Sequence, residues 1–178
     1  MSRSGWIGAL GLGLLIAMAV LAPILRPGDP MDLVARPLIP PFTDQRFPLG
    51  TDTLGRDVWA QLLYGARVSL IVGLAAAIGA ILIGVAVGTL AGFLGGRADA
   101  TLMRVTEAFQ TVPTFLLALA LLAALGSSML NVILAIALSS WAATSRLVRA
   151  EVLSLRQREY VDAARLAGEG LQTQREVW

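Results

Sequence analysis

The longest stretch of this chain without a charged residue runs from 108 to 145, 38 residues, and as one helix it would be about 57 Å long at 1.5 Å per residue. The hydrocarbon core of a bilayer is about 30 Å thick and takes roughly 20 residues to cross, so the stretch has to fold back. Gly126-Ser127-Ser128 near its middle supplies turn residues. The expectation is a span over 105–125, a very short turn, and a second span over 129–146. Pro113 falls inside the first of these, where it should bend the helix and leave its freed carbonyl to neighbouring groups.

Two further charge-free runs are long enough to cross. One covers 4–25 behind Arg3, with Trp6 near its start, where an aromatic ring suits the interface. A cleaved signal peptide is the competing reading; the apolar run is longer than a usual signal core, and Pro23-Ile24-Leu25-Arg26 lacks a small-x-small cleavage site. The other run holds 29 uncharged residues between Arg67 and Arg97, with a span expected over 68–95. In it Gly84, Gly88 and Gly92 recur every fourth residue, on the face of a helix where a neighbouring backbone can approach closely. Four spans result, an all-α polytopic membrane protein, in keeping with a composition 56% hydrophobic and only 15% charged against about a quarter in soluble domains.

The same composition excludes several chemistries. The chain has no His and no Cys, which removes thiol nucleophiles, His-based general catalysis and zinc sites built on those ligands. Its 14 basic residues are all Arg, and a net charge of +2 is too small and dispersed for a nucleic-acid footprint. Ser139, Ser140 and Ser145 have no His or Lys to activate them, and the spans carry no ionisable residue between their ends for a proton relay. No catalytic residue and no metal site are assigned: five Asp between 26 and 67 are scattered among five Arg and do not resemble a cation cage.

An even number of spans puts both termini on one side. Nine Arg (Arg3, Arg97, Arg104, Arg146, Arg149, Arg156, Arg158, Arg165 and Arg175) share the side of the termini, against five across the membrane, so the positive-inside rule makes the termini cytoplasmic. The outer segment 26–67 contains six of the eight prolines and reads as an extended strap. It ends in a short interfacial helix over 54–64, where Val58, Trp59, Leu62 and Leu63 fall at helical spacing. Within the strap, Gly50, Thr51, Asp52, Gly55, Arg56 and Asp57 make either a self-bonded turn, with Asp52 and Asp57 pairing to Arg56 or Arg67, or a contact for substrate or a binding protein. Beyond the fourth span, 147–168 mixes charges with Leu147, Val148, Val152, Leu153 and Val161, a helical segment with faces that want partners.

These residues resemble the permease subunits of bacterial ABC importers for dipeptides, oligopeptides and nickel, of the type with a short N-terminal region. The resemblance rests on Leu49-Gly50-Thr51-Asp52-Thr53-Leu54-Gly55-Arg56-Asp57 and Tyr64-Gly65-Ala66-Arg67-Val68-Ser69-Leu70, on Gly95-Gly96, Asp99, Met103-Arg104, Glu107 and Pro113, and on Trp141 and Arg146-Leu147-Val148-Arg149. It extends through Glu159-Tyr160-Val161-Asp162-Ala163-Ala164-Arg165-Leu166-Ala167-Gly168, which is similar to the family's EAA loop with Asp162 in place of the usual Glu. The resemblance implies a six-helix permease fold with four helices present here, and a cytoplasmic coupling loop over about 150–168. In it Tyr160, Asp162, Ala163, Ala164 and Gly168 would dock an ATPase subunit or shape the helix that does. Implied partners are a second homologous permease subunit, two cytoplasmic ATPase subunits that hold the ATP and Mg, a periplasmic or lipid-anchored solute-binding protein, and membrane lipid, with no nucleic acid. This chain itself would carry no cofactor, having neither a phosphate-binding glycine loop nor any Lys.

Three regions follow: 1–67 with the first span and the outer strap, 68–168 as the permease domain with its coupling loop, and 169–178 as a divergent tail. Relatives of this type continue past the EAA glycine into two further helices, whereas 169–178 matches them poorly. The expectation is a C-terminally truncated permease, with two readings: a subunit that translocates peptides or a related small solute, or a membrane fragment that binds partner subunits without transporting.

Overall fold

The structure is a computed structural model that describes residues 3–156. Among them it is all α: α1 (Arg3–Leu25), α2 (Val58–Leu94), α3 (Gly96–Thr111), α4 (Thr114–Leu125) and α5 (Met129–Arg156). α1, α2 and α5 are each long and apolar enough to cross a membrane, and α3 with α4 form a bent pair that passes the same test together. The chain divides into two units, Met1–Leu74 and Ala75–Trp178.

In the first unit α1 forms where the first charge-free run lies, and Pro23 is accommodated near its C-terminal end. The short interfacial helix expected over 54–64 does not exist as a separate element. α2 begins at Val58 and continues without a break through Gly65 and Arg67, because nothing between Trp59 and Val68 is a strong helix breaker and a lone glycine costs only about 1 kcal/mol. The residues between the helices are not an extended strap either. They fold into turns closed by isolated bridges, Asp44 to Phe47 and Thr51 to Asp57, and by backbone bonds from the amides of Val34 and Ala35 to the carbonyl of Gly55 and from Leu38 to Asp52. Proline-rich chain gives up few donors here, and the non-proline amides between the prolines find carbonyls across the loop.

In the second unit the decisive geometry is between α2 and α5. Gly79 faces Ala137, Gly84 faces Thr144, Gly88 faces Val148 and Gly92 faces Val152, so the partners advance together and the two helices run in the same direction. A parallel pair requires the chain between them to return to the starting side, and α3 with α4 makes that return. The span expected over 105–125 with a bend at Pro113 is thus a pair of helices meeting at 87°. Val112 is extended (φ −90°, ψ 131°), as the residue before a proline prefers, and Pro113 has no N–H to continue the ladder. The arm before the break is polar enough to hold Arg97, Asp99, Arg104 and Glu107. The arm after it is 12 residues of continuous apolar helix.

The turn expected at 126–128 is present. Gly126 (φ 85°) caps α4 by donating its amide to Leu122 O, and Asn131 Nδ2 donates to the carbonyls of Leu125 (2.6 Å) and Gly126 (3.0 Å). Past residue 146 α5 does not stop at the expected end of the span. It runs on to Arg156, so the start of the coupling segment is continuous with the helix. Ala80, Trp141 and Ala142 form the small buried core, with Phe109 of α3 edge-on to Trp141 at 5.2 Å between ring centroids.

Candidate functional site

Two places concentrate the residues singled out from the sequence. The first is the turn cluster of the first unit. Thr51 is buried, and its hydroxyl accepts from Ile39 N–H (3.0 Å) and donates to the Arg36 carbonyl (2.8 Å), tying together chain 12 and 15 residues away. Asp52 Oδ1 accepts from the amides of Leu54 (2.8 Å) and Arg56 (2.9 Å), and its Oδ2 accepts from Gln61 Nε2 (3.0 Å). The Arg56 amide, then the Gln61 side chain and the Leu54 amide hold the Asp52 carboxyl below its usual range by bonding to its charged form. Gly50 (φ 75°) and Gly55 (φ 82°) turn the chain, and a Cβ on either would run into a backbone carbonyl, that of Ile39 or of Ala35.

The expected side-chain pairs of Asp52 and Asp57 with Arg56 or Arg67 do not form. Asp57 pairs instead with Arg26 at the end of α1 (3.4 Å) and accepts from the Trp59 amide (2.9 Å), which fixes the first turn of α2. Tyr64 adds a bond from its hydroxyl to the Arg26 carbonyl (3.1 Å). These bonds tie the end of α1 to the start of α2. Two features of the cluster were not readable from residue pattern: Leu38 (φ 58°) and Phe42 (φ 63°) both hold left-handed backbone that costs a bulky residue about 1–2 kcal/mol, yet their side chains are 68% and 85% exposed.

The second place is the seam of the second unit and its charged end. A Cβ on Gly84 would lie 2.6 Å from Thr144 Cβ, on Gly88 2.9 Å from Val148 Cβ, and on Gly92 2.8 Å from Val152 Cβ. All three are distances that real side chains do not reach, so α5 lies against the bare backbone of α2. At the end of this seam Asp99, in the first turn of α3, receives both the Nε and the Nη2 of Arg149 on α5, the latter at 2.6 Å, a two-pronged ion pair that fixes both side chains. Arg156 Nη1 donates to the carbonyls of Gly92 (2.8 Å) and Phe93 (3.1 Å), which have no intrahelical partner at the C-terminal end of α2. Arg146 reaches Gln110 Oε1 (2.9 Å). Asp99 and Arg149 were each part of the sequence pattern, but 50 residues apart nothing in the spacing marks them as partners.

These contacts lock the last turns of α5, directly before the EAA-like segment. Tyr160, Asp162, Ala163, Ala164 and Gly168 themselves lie outside the described residues. Gly50, Thr51, Asp52, Gly55, Arg56 and Asp57 are thus brought into one cluster, and Gly84, Gly88 and Gly92 into one seam.

Residues 80–173, more than half of the chain, match the family described as "Binding-protein-dependent transport system inner membrane component". The chain belongs to this family. The matched region holds the glycine seam, the bent pair, the ion pair at the seam's end and the EAA-like segment. Similar curated proteins share more of the chain. The nickel transport system permease protein NikC of Escherichia coli is 42% identical over 172 residues, covering 94% of this chain and 61% of its own length. The di/tripeptide transport system permease protein DppC of Pseudomonas aeruginosa is 40% identical over 168 residues, 92% of this chain and 55% of its own. The oligopeptide transport system permease protein OppC of Bacillus subtilis is 36% identical over 171 residues, 94% and 54% respectively. The chain therefore spans between a half and two thirds of the length of these relatives. As a member of this binding-protein-dependent family with three to four apolar crossings, it is a membrane protein.

Proposed function

We propose that this chain acts as the transmembrane permease subunit of an ATP-binding-cassette importer for di- or oligopeptides or a related small solute. Its termini face the cytoplasm, and the cytoplasmic membrane is its location. A second permease chain would complete the pathway, two ATPase subunits with ATP and Mg would drive it, and a solute-binding protein would deliver cargo at the outer face. The observation that carries this reading is the family match through 173, which takes in both the α2–α5 seam and the EAA-like segment that follows it.

Geometry supports a coupling role for that segment. α5 is one continuous helix from Met129 to Arg156, clamped to the C-terminal end of α2 by Arg156 and to α3 by the Asp99–Arg149 pair. A push that reaches the end of α5 at Arg156 is therefore passed to α5, α2 and α3 as a body. Tyr160, Asp162, Ala163, Ala164 and Gly168 are the positions proposed to meet the ATPase. In the first unit the exposed Leu38 and Phe42, held at a backbone cost, are suited to meet a delivering protein.

Transport is the test. Full-length permease pair and ATPase subunits reconstituted in vesicles with the binding protein should take up peptide only with ATP. Gly168→Glu should abolish uptake and separate the ATPase subunit from the complex on purification. Retention of the ATPase subunit and of uptake in that variant would contradict the assigned coupling segment.

A further inference from the structure

The groove between α1 and the first half of α2 is a candidate of its own, because its chemistry is divided along its length. α1 contributes Ile16, Ala19 and Val20 and α2 contributes Leu70, Ile71 and Leu74 to a cavity of about 460 Å³ whose one charged residue is Arg67. That volume falls within the range of about 300–1,000 Å³ of small-molecule sites. Arg67 stands at the end of the groove nearer the turn cluster, since Tyr64 one turn before it bonds to the carbonyl of Arg26. None of the ion pairs among the described residues uses Arg67. From Arg67 to Leu74 the groove descends about 10 Å at 1.5 Å per residue, which keeps it within one half of a hydrocarbon core about 30 Å thick.

We propose that this groove binds one anionic phospholipid, its phosphate on Arg67 and an acyl chain along Ile16, Val20, Ile71 and Leu74. The order of the chemistry favours that occupant. Arg67 directly precedes the 29-residue uncharged run 68–96, the level at which a headgroup meets the acyl region, and a guanidinium there gains charge-assisted and two-pronged hydrogen bonds from phosphate oxygens. An apolar helix of a second chain laid in the same groove would cover the guanidinium without supplying an acceptor, which is costly for a charge. Val20 and Leu74 are 67% and 66% exposed, so the groove is open toward the side from which a lipid would enter. The inference needs membrane insertion of the chain and does not depend on whether it transports.

Native mass spectrometry of the purified full chain, incubated with equal phosphatidylglycerol and phosphatidylcholine, reads the site directly. The expected result is one retained phosphatidylglycerol in preference to phosphatidylcholine. Arg67→Gln should lower that retention about five-fold, the factor expected for one cation at an anionic surface, while Arg67→Lys should keep most of it. Ile71→Trp, which fills the groove and leaves the charge, should also lose the lipid, and Arg36→Gln should change nothing. Equal retention of the two lipids, or no loss in Arg67→Gln, would overturn the proposal. Loss in Arg67→Gln with full retention in Ile71→Trp would reduce it to surface attraction and overturn the groove. Efficient disulfide cross-linking of two chains through Ile71→Cys would instead make the face a protein interface.

Discussion

The α2–α5 seam and the turn cluster between α1 and α2 both bring distant chain into close contact, by opposite means. Along the seam the decisive residues are Gly84, Gly88 and Gly92, which contribute no side-chain atoms and let Thr144, Val148 and Val152 press on the bare backbone of α2. In the cluster the decisive residues are Thr51, Asp52 and Asp57, whose side-chain oxygens answer amides and carbonyls that turns leave over. The difference follows from what surrounds each region. Apolar helices in lipid gain little from burying more hydrocarbon and associate through close packing. A turn-rich loop has backbone groups to satisfy and no regular ladder to satisfy them. The seam should therefore tolerate loss of a polar atom but not gain of a methyl, whereas the cluster should not tolerate loss of a side-chain oxygen.

The largest effect is expected at the middle of the seam. Gly88→Leu places a side chain against the Ser145 carbonyl and Val148, and it should cost more than the roughly 1–3 kcal/mol usual for overpacking, because backbone rather than a movable side chain stands in the way. Thermal unfolding in detergent should show a large drop in midpoint; an unchanged midpoint would mean that α5 does not lie where the seam puts it. Next comes Thr51→Val, which keeps the shape but leaves Ile39 N–H without its acceptor and the Arg36 carbonyl without its donor. A cost of about 1–3 kcal/mol is expected for such orphaned groups, read as faster hydrogen exchange across 36–52.

Acid should act on the cluster through Asp52. The Asp52 carboxyl is held below its ordinary value, chiefly by the Arg56 amide, so its contribution is fully present above the ordinary carboxylate pKa of about 4 and is lost as pH falls through the lower folded value. Exchange protection of the Leu54 and Arg56 amides should therefore fall only below about pH 4, and Asp52→Asn should remove that dependence. The smallest effect is expected at Ser145, a fully buried residue whose hydroxyl has no hydrogen-bond partner among the described residues. Ser145→Ala takes away a polar atom that contributes no bond, so the unfolding midpoint should stay the same or rise slightly. A clear loss there would show that the seam uses polar contacts after all.

Charge-free length made α1, α2 and α5 legible before any coordinates, and a four-residue glycine period marked the face of α2 that α5 covers. Other features lay beyond residue pattern for physical reasons. α2 begins ten residues before the expected span because helices do not end at the membrane boundary unless something breaks them. The right-angle break at Pro113 has a visible cause, but its size is set by packing on α5, as the Phe109–Trp141 contact illustrates. The turn cluster depends on bonds from Thr51 to residues 12 and 15 positions away, and the end of the seam on an ion pair spanning 50. Local propensity carries no information on either.

We propose that the segment after α5 meets an ATPase subunit on the cytoplasmic side. None of the 178 residues is Cys, so Ala163→Cys places the single thiol of this sequence in the EAA-like segment. Cross-linking in membranes that hold the whole transporter should join Cys at this position to the ATPase subunit, with a yield that changes when ATP is added, while Thr53→Cys in the turn cluster should give no such product. Cross-linking to the ATPase from Thr53→Cys, or none from Ala163→Cys, would overturn the assignment of this segment as the ATPase contact.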